Sequence, residues 1–154
     1  MTLVLVVDDN QAMAEQYAYD LKRLGKFDTM IAAGGSEALD ILGREAVDCV
    51  ILDLEMPGID GFNVLGKMNT MGLRIPVIVY TGTGNYDRCV KAMRLGAYSF
   101  IDKSETMERV VWEIEKGLEH VRLEREVKDL RDAAVPTTVI RGSSAVIEEM
   151  KQQI

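Results

Sequence analysis

The sequence predicts a doubly wound α/β fold, in which helices cover both faces of a five-stranded parallel sheet. Short runs of mostly β-branched apolar residues, without polar alternation, are typical of strands that are buried on both faces. These runs alternate along the chain with segments in which apolar residues recur every three or four positions, as in helices that cover a sheet. Parallel strands joined by helices require right-handed crossovers, so this alternation defines the architecture.

Five segments are predicted to be strands. Three of them are continuous apolar runs, which favours positions in the middle of the sheet. Pro76 is compatible with the fourth strand because it lies at the start of the run, where a missing backbone N–H is tolerated. The second and fifth segments are less apolar and are the weaker predictions. The predicted strands cover residues 3–7, 27–32, 49–52, 75–80 and 97–101.

Helical periodicity separates these strands. The helix after the first strand has apolar residues at intervals of three and four between Ala14 and Leu24, and Gly25 closes it. The next helix follows Ser36, whose hydroxyl suits the N-cap position. A third helix precedes the fourth strand, and a fourth helix ends at Gly96. These helices provide the cover that strands buried on both faces need.

From Glu105 to about Asp132 the sequence predicts one long helix, because the segment has no proline and closely mixed charges. Its apolar residues form a first stripe that can pack on the sheet and a second stripe in a new phase. A second copy of the helix is the simplest cover for the second stripe, so we expect a homodimer. The alternative is a solvated helix held by pairs such as Glu124 with Lys128, each worth about 0.2–0.5 kcal/mol. The first stripe comprises Met107, Val110, Val111, Ile114, Leu118 and Val121, and the second comprises Leu123, Val127, Leu130 and Ala134.

The composition excludes several classes of protein. Among 154 residues, 18 Lys and Arg against 25 Asp and Glu give a net charge of −7, without the basic face that nucleic-acid binding requires. Cys49 and Cys89 are too few for a disulfide framework and lack the spacing of a metal or redox pair. This use of cysteine favours a reducing, cytoplasmic location. The sequence predicts no signal peptide, no membrane span and no membrane partner.

Polar side chains follow four of the five predicted strands. Ligands of an open α/β sheet bind beyond the carboxyl ends of the strands, so these side chains are expected to converge. Crowded carboxylates repel one another, and a hard divalent cation with oxygen ligands, most simply Mg²⁺, relieves that repulsion. A neighbouring ammonium balances the remaining charge and can pair with an incoming anion. The residues are Asp8, Asp9, Asp53, Thr81 and Lys103.

Asp53 is the central candidate for chemistry, because a carboxylate can act as a nucleophile and form an aspartyl phosphate. Mg²⁺ held by Asp8 and Asp9, together with the Lys103 ammonium, would neutralise charge on the phosphoryl oxygens, and Thr81 would donate its hydroxyl to one of them. Each residue also has a simpler interpretation as a helix cap, a turn former or a solvated charge. The combination at four strand ends favours the chemical interpretation.

These motifs resemble the receiver domain of two-component response regulators, from Leu3 to about Gly117. The resemblance implies a flavodoxin-like sheet in the order 2-1-3-4-5 and a sensor histidine kinase as the phosphoryl donor. The segments that carry it are Val-Val-Asp-Asp-Asn at 6–10, Leu-Asp-Leu-Glu-Met-Pro-Gly-Ile-Asp-Gly at 52–61, Tyr-Thr-Gly at 80–82, Gly-Ala at 96–97 and Phe-Ile-Asp-Lys at 100–103.

The resemblance also implies a role for each site residue. Asp53 would be the phosphoacceptor, and Lys103 would pair with a phosphoryl oxygen. Thr81 and Phe100 match the switch pair of the family, in which the hydroxyl moves toward the phosphoryl group and the aromatic ring turns inward. Such a chain is a phosphoacceptor switch and not an enzyme. The implied Mg²⁺ ligands are Asp9, Asp53 and the backbone carbonyl of Glu55, with Asp8 holding the ion through water.

The loop after Lys103 departs from the family pattern. Ser104 follows Lys103 at the position where the family usually has a proline with a cis peptide bond. A cis bond without proline costs about 2.5–4 kcal/mol, so we expect a trans bond here. The loop that leads into the long helix is therefore expected to differ in shape from that of the family.

The predicted organisation has three parts. Residues 1–117 form the receiver domain, 118–134 form a helical dimerisation linker, and 135–154 start an output domain. Residues 139–150 resemble the opening of the AAA+ ATPase domain of sigma-54-dependent activators, in which sigma-54 RNA polymerase and DNA would be contacted through domains absent from this chain. The alternative is a signalling output of another kind. The chain has no Gly-rich phosphate loop, so it is not itself predicted to be an ATPase.

Two other functions fit parts of the pattern. A Mg²⁺-dependent phosphatase with an aspartyl nucleophile would need a second aspartate two residues after Asp53, and the sequence has Glu55 there. A degenerate receiver that only dimerises would be expected to have lost some of its acidic residues, which are all present. Both alternatives are therefore weaker than the phosphorylation switch.

Overall fold

The computed structural model describes residues 1–82 and 85–134, and side chains as far as Arg131. The chain divides into a unit from Met1 to Val121, which contains the whole sheet, and a second unit that begins at Arg122. The output-domain prediction for residues 135–154 lies outside the described residues. Within the described ranges, no helix combines the length and the apolar character that crossing a membrane requires.

The sheet has five parallel strands in the order β2-β1-β3-β4-β5, as predicted. The predicted fourth strand at 75–80 is shifted, because the observed strand begins after Pro76 and includes Thr81 as its last residue. The carbonyl of Pro76 still accepts a hydrogen bond from the Val50 N–H at 3.0 Å. The strands are β1 Leu3–Val7, β2 Asp28–Ala32, β3 Cys49–Leu52, β4 Val77–Thr81 and β5 Ser99–Asp102.

Within the part of the chain that the structure describes, five helices connect and follow the strands. Asn10, Asp60 and Asn85 cap three of them, because each side chain accepts a hydrogen bond from a backbone N–H in the first turn. In the last helix the N–H of Arg109 donates to the side-chain oxygen of Thr106 at 3.4 Å. The helices are α1 Gln11–Gly25, α2 Gly35–Arg44, α3 Gly61–Thr70, α4 Tyr86–Arg94 and α5 Met107–Ala134.

The predicted cap of α2 is wrong. The N-cap is Gly34, and Ser36 is the second residue of the helix. The helix begins earlier because Gly35 lies directly against the neighbouring loop, where an added Cβ would be 2.5 Å from the Ile59 carbonyl oxygen. The carboxylate of Glu37 accepts a hydrogen bond from the Ala33 N–H at 2.8 Å and so satisfies a donor next to the cap.

The sheet separates two apolar cores, which explains why its strands are continuously apolar. Alternate residues of each strand face opposite sides. In β1, Leu5 and Val7 belong to the core under α2, α3 and α4, whereas Val4 and Val6 belong to the core under α1 and α5. The same alternation continues in β4, where Tyr80 lies on the α1 and α5 side.

The start of α3 makes a close backbone contact that only glycine permits. A Cβ at Gly61 would lie 2.6 Å from the Asp53 carbonyl oxygen and 2.8 Å from Cα of Leu54. We expect Gly61→Ala to lower the free energy of unfolding by about 1–3 kcal/mol, because backbone atoms must shift. The matched control is Gly66→Ala in the same helix, where a Cβ would meet nothing within 4 Å. It should raise stability by up to about 1 kcal/mol. Urea denaturation measures both, and equal effects would contradict the packing argument.

Candidate functional site

Three carboxylates meet at the carboxyl edge of the sheet. Asp8 and Asp9 follow β1, Asp53 follows β3, and one oxygen of each lies within 4.8 Å of the others. Asp8 is only 3% exposed and Asp53 only 7% exposed, whereas Asp9 is exposed. Negative charges this close and this poorly solvated repel one another. The cluster therefore has the composition of a site for a hard cation with oxygen ligands.

Lys103 bridges two of the carboxylates. Its Nζ lies 2.8 Å from Oδ2 of Asp8 and 3.2 Å from Oδ2 of Asp53. Burial by itself would lower the pKa of Lys103, but the hydrogen bond to Asp8 and the negative charges of Asp53 and Asp8 outweigh it, so the pKa is raised. The ammonium is therefore fully protonated near neutral pH and supplies the positive charge of the site.

Backbone N–H groups hold both buried carboxylates in place. The Asn10 N–H donates to Oδ1 of Asp8 at 2.9 Å, and the Glu55 N–H donates to Oδ1 of Asp53 at 3.3 Å. The Asp53 N–H also donates to the Val7 carbonyl at 3.0 Å, which continues the pairing of β3 with β1. In each carboxylate one oxygen faces the backbone, and the other oxygen faces Lys103. The aspartate side chains are thus oriented before any ligand arrives.

Thr81 and Phe100 lie on neighbouring strands. Thr81 is fully buried at the end of β4, and its carbonyl accepts a hydrogen bond from the Lys103 N–H at 3.1 Å. Phe100 pairs with Val79 in the β4–β5 register and is half-buried against the core on the side of α2, α3 and α4. The structure thus brings Thr81 to the same edge as the carboxylates and sets Phe100 back along β5. The switch roles of these two residues stay predictions.

Comparison with known families identifies the chain. The family described as the response regulator receiver domain matches residues 4–115. The chain belongs to this family. The five-stranded order and the acidic cluster of the receiver domain agree with the resemblance seen in the sequence motifs.

Curated relatives and solved structures align with nearly the whole chain. The nitrogen assimilation regulatory protein NtrX of Azorhizobium caulinodans is 30% identical over 153 residues, covering 98% of this chain and 33% of its own length. The C4-dicarboxylate transport transcriptional regulatory protein DctD of Rhizobium meliloti is 30% identical over 154 residues, covering 98% and 33%. A crystal structure of NtrX from Brucella abortus has a TM-score of 0.79 at 32% identity, covering 99% of this chain and 34% of that one. This receiver chain thus spans about a third of the length of these relatives.

The sequence did not predict the contacts of two tyrosines near the site, Tyr17 and Tyr80. The hydroxyl of Tyr80 donates to the Glu105 carbonyl at 2.8 Å, and its ring meets the ring of Tyr17 edge-on at 5.3 Å. Burial raises the pKa of Tyr80 above the ordinary value of a phenol, so the hydroxyl keeps its proton and donates. A tyrosine within a buried strand needs a hydrogen-bond partner for its hydroxyl, so the position of Tyr80 in an apolar run indicates that such a contact exists.

Arg88 in the first turn of α4 is a further residue that the sequence motifs do not indicate. Its Nη2 lies 3.5 Å from Oε1 of Glu55, and its guanidinium lies 5.2 Å from the centre of the Phe62 ring. The pair links α4 to the loop that follows Asp53.

The Lys103–Ser104 peptide is trans, as are all peptide bonds of the described residues. This agrees with the expectation for a loop without proline.

The charge of Lys103 is expected to stabilise the folded receiver domain. Lys103→Met leaves the buried carboxylates of Asp8 and Asp53 without their cation, so the free energy of unfolding should fall by about 1–3 kcal/mol. Lys67→Met, at an exposed position of α3, is the control and should change stability by less than about 0.5 kcal/mol. Urea denaturation in the presence of a chelator measures both variants. If Lys103→Met is as stable as the control, the ammonium does not offset the carboxylate repulsion.

Proposed function

We propose that this receiver domain is a phosphorylation-controlled switch in which Asp53 accepts a phosphoryl group from a sensor histidine kinase. The observation that carries the proposal is the position of the Lys103 ammonium, 3.2 Å from Oδ2 of Asp53, in a cluster with two further carboxylates. An ammonium at this distance can pair with an oxygen of a phosphoryl group bound to Asp53. The family membership supports the same chemistry.

The donor set fits Mg²⁺. Three carboxylates with a single ammonium leave a net negative charge, and one of the three, Asp9, is exposed, so an ion can reach the cluster from solvent. Asp8, Asp9 and Asp53 would hold the ion, together with the backbone carbonyl of Glu55 that the resemblance implies. When bound, Mg²⁺ neutralises negative charge on the phosphoryl oxygens. The Asn10 and Glu55 N–H groups fix the side chains of Asp8 and Asp53, two of the carboxylates that would hold it.

The group transfer is balanced by one bond formed and one bond broken. A carboxylate oxygen of Asp53 attacks phosphorus, the phosphorus–nitrogen bond to the kinase histidine breaks, and the histidine nitrogen keeps the electron pair. Lys103 and Thr81 then donate to phosphoryl oxygens. The side chain of Asp53 is itself the product, so the chain acts as a phosphoacceptor switch and not as a turnover enzyme.

The relatives support a transcriptional output. NtrX and DctD are named as regulatory proteins, and each is about three times as long as this chain. We propose that the receiver controls a sigma-54-dependent activator in the cytoplasm, with RNA polymerase and DNA contacted through domains outside this chain. The sequence resemblance of residues 139–150 to the opening of an AAA+ ATPase domain supports the same output. A receiver with another signalling output is the alternative.

The distal part of α5 supports the proposed homodimer. Leu123, Val127 and Leu130 are 49%, 51% and 71% exposed, although all three are apolar. Their spacing of four and three places them on one side of the helix, the pattern of a coiled-coil seam. The alternative is a solvated helix without a partner, which ion pairs along its surface would stabilise. The pair of Arg122 with Glu126 on the same segment is of this kind. Exposed pairs of this kind contribute little, so the apolar seam favours a second copy as its cover.

The phosphatase alternative is disfavoured by the position of Glu55. An acid and base two residues after the nucleophile would have to reach the site, whereas the Glu55 carboxylate pairs with Arg88 and its side chain is 55% exposed. The degenerate alternative is disfavoured because Asp8, Asp53 and Lys103 are present and in contact. Neither alternative explains the arrangement around Asp53 as well as the switch does.

The phosphoacceptor assignment is tested by intact mass. Incubation with acetyl phosphate and Mg²⁺ should add one phosphoryl group to the chain. Asp53→Asn removes the nucleophile and should abolish the adduct, as should a chelator in the wild-type sample. Asp40→Asn, at an exposed position of α2, is the matched control and should be phosphorylated like the wild type. An adduct that persists in Asp53→Asn would contradict the assignment.

The dimer assignment is tested by sedimentation. Leu130→Asp places a charge in the apolar seam and should shift the chain toward the monomer while phosphorylation of Asp53 is retained. Arg125→Asp introduces the same side chain at an exposed position about 140° away around the helix, counting 100° per residue from Leu130. That control should leave the dimer intact. A wild-type chain that sediments as a monomer at all concentrations would refute the dimer.

A further inference from the structure

The position of the Lys103 ammonium depends on a short turn. Lys103 is the first residue after β5, and its long flexible side chain reaches back to Asp8 and Asp53. The turn is anchored at its first end, where the Lys103 N–H donates to the Thr81 carbonyl at 3.1 Å and the Ser104 N–H donates to Oδ1 of Asp102 at 2.8 Å. Because no proline follows Lys103, the shape of the turn must be fixed by contacts.

At the other end of the turn the Glu105 N–H donates to the Asp102 carbonyl at 2.9 Å, and Tyr80 provides a side-chain anchor for the carbonyl of the same residue. The Tyr80 hydroxyl lies 2.8 Å from the Glu105 carbonyl oxygen and 3.4 Å from the Lys103 carbonyl oxygen. A phenol has one proton, so it donates to the nearer carbonyl, while the other stays within reach. Tyr80 is 4% exposed within β4. One rigid side chain from the sheet thus contacts the backbone on both sides of Ser104.

The ring of Tyr80 is also linked to the Lys103 ammonium through the ring of Tyr17. It meets the ring of Tyr17 edge-on, with centroids 5.3 Å apart, and the Lys103 Nζ lies 5.8 Å from the Tyr17 centroid. Edge-to-face pairs and cations near aromatic rings both have preferred geometries. The Tyr80 hydroxyl thus holds the turn at Glu105, two residues after Lys103, and the Lys103 ammonium borders a ring that Tyr80 contacts.

We infer that Tyr80 is a positioning residue for phosphoryl capture: its hydroxyl fixes the turn at 103–105 so that the Lys103 ammonium is placed to pair with a phosphoryl oxygen on Asp53. The inference rests on the proposed function. Tyr80 touches neither the phosphoryl group nor the metal ligands and acts through Lys103.

Loss of the Tyr80 hydroxyl is expected to affect the rate of phosphorylation and the affinity for Mg²⁺ differently. Lys103 contacts the same carboxylates that would hold Mg²⁺, so a looser turn removes a competitor of the ion and does not weaken its binding. Phosphoryl capture, in contrast, needs the ammonium in place. Loss of the Tyr80 hydroxyl should slow phosphorylation and leave the Mg²⁺ affinity unchanged or slightly raised. General damage to the site would weaken both.

The test compares Tyr80→Phe with Tyr98→Phe. Each variant loses one phenolic hydroxyl and keeps its ring. Tyr98 immediately precedes β5, at the end opposite Lys103, and its ring lies 5.7 Å from the ring of His120. The initial rate of phosphorylation by acetyl phosphate, followed by intact mass at saturating Mg²⁺, should fall about five-fold in Tyr80→Phe, as expected for one lost hydrogen bond. Titration calorimetry with Mg²⁺ alone should give the wild-type dissociation constant or a slightly lower one. Tyr98→Phe should match the wild type in both measurements.

Amide hydrogen exchange provides a direct readout of the turn. Exchange at Ser104 and Glu105 should be faster in Tyr80→Phe than in Tyr98→Phe or the wild type. Wild-type rates of exchange and phosphorylation in Tyr80→Phe would overturn the inference and leave the proposed function intact, and so would slower phosphorylation with equally weakened Mg²⁺ binding. A wild-type chain that takes no phosphoryl group would overturn the proposed function and, with it, the inference.

Discussion

Electrostatic repulsion among three carboxylates is the constraint on which the functional edge of this receiver domain depends. Asp8 and Asp53 are almost fully buried, and a buried negative charge is costly unless hydrogen bonds and opposite charges compensate it. Backbone N–H groups satisfy one oxygen of each, and the Lys103 ammonium satisfies the other. The compensation is incomplete, because the cluster has three carboxylates and one ammonium, which contacts Asp8 and Asp53. The site therefore keeps an excess of negative charge, which a cation with oxygen ligands would compensate.

The fold creates this cluster of charges by bringing distant segments together. The strands that end in Asp8 and Asp53 are paired in parallel, so their carboxyl ends lie at one edge. Lys103 arrives from the strand at the end of the sheet, two strands away from β3. The alternation of side chains lets apolar cores form on both faces while polar residues are confined to the edge. The apolar residues within the strands thus stabilise the fold, and the polar residues that follow the strand ends form the candidate site.

The fold and most of the site could be predicted from the sequence, because both follow from local patterns. Continuous apolar runs that end in Asp8, Asp53 or Thr81 indicate buried parallel strands and the edge at which they end. Tertiary contacts could not be predicted in this way. The α2 cap shifted from Ser36 to Gly34 because of packing against Ile59, and the Tyr80 hydroxyl found its partner in a turn 25 residues further along. Neither contact leaves a pattern in the neighbouring sequence.

Adjacent residues near the ends of β4 and β5 serve opposite layers of the molecule. Tyr80 and Ile101 face the layer of α1 and α5, whereas Val79 and Phe100 face the layer of α2, α3 and α4. Residues one peptide bond apart therefore contact different helices. Under the proposed function, substitutions on the face of Tyr80 would affect the capture of a phosphoryl group, and substitutions on the face of Phe100 would affect the predicted switch. Sensitivity to a phosphoryl donor and the response to it would then be open to change by separate mutations.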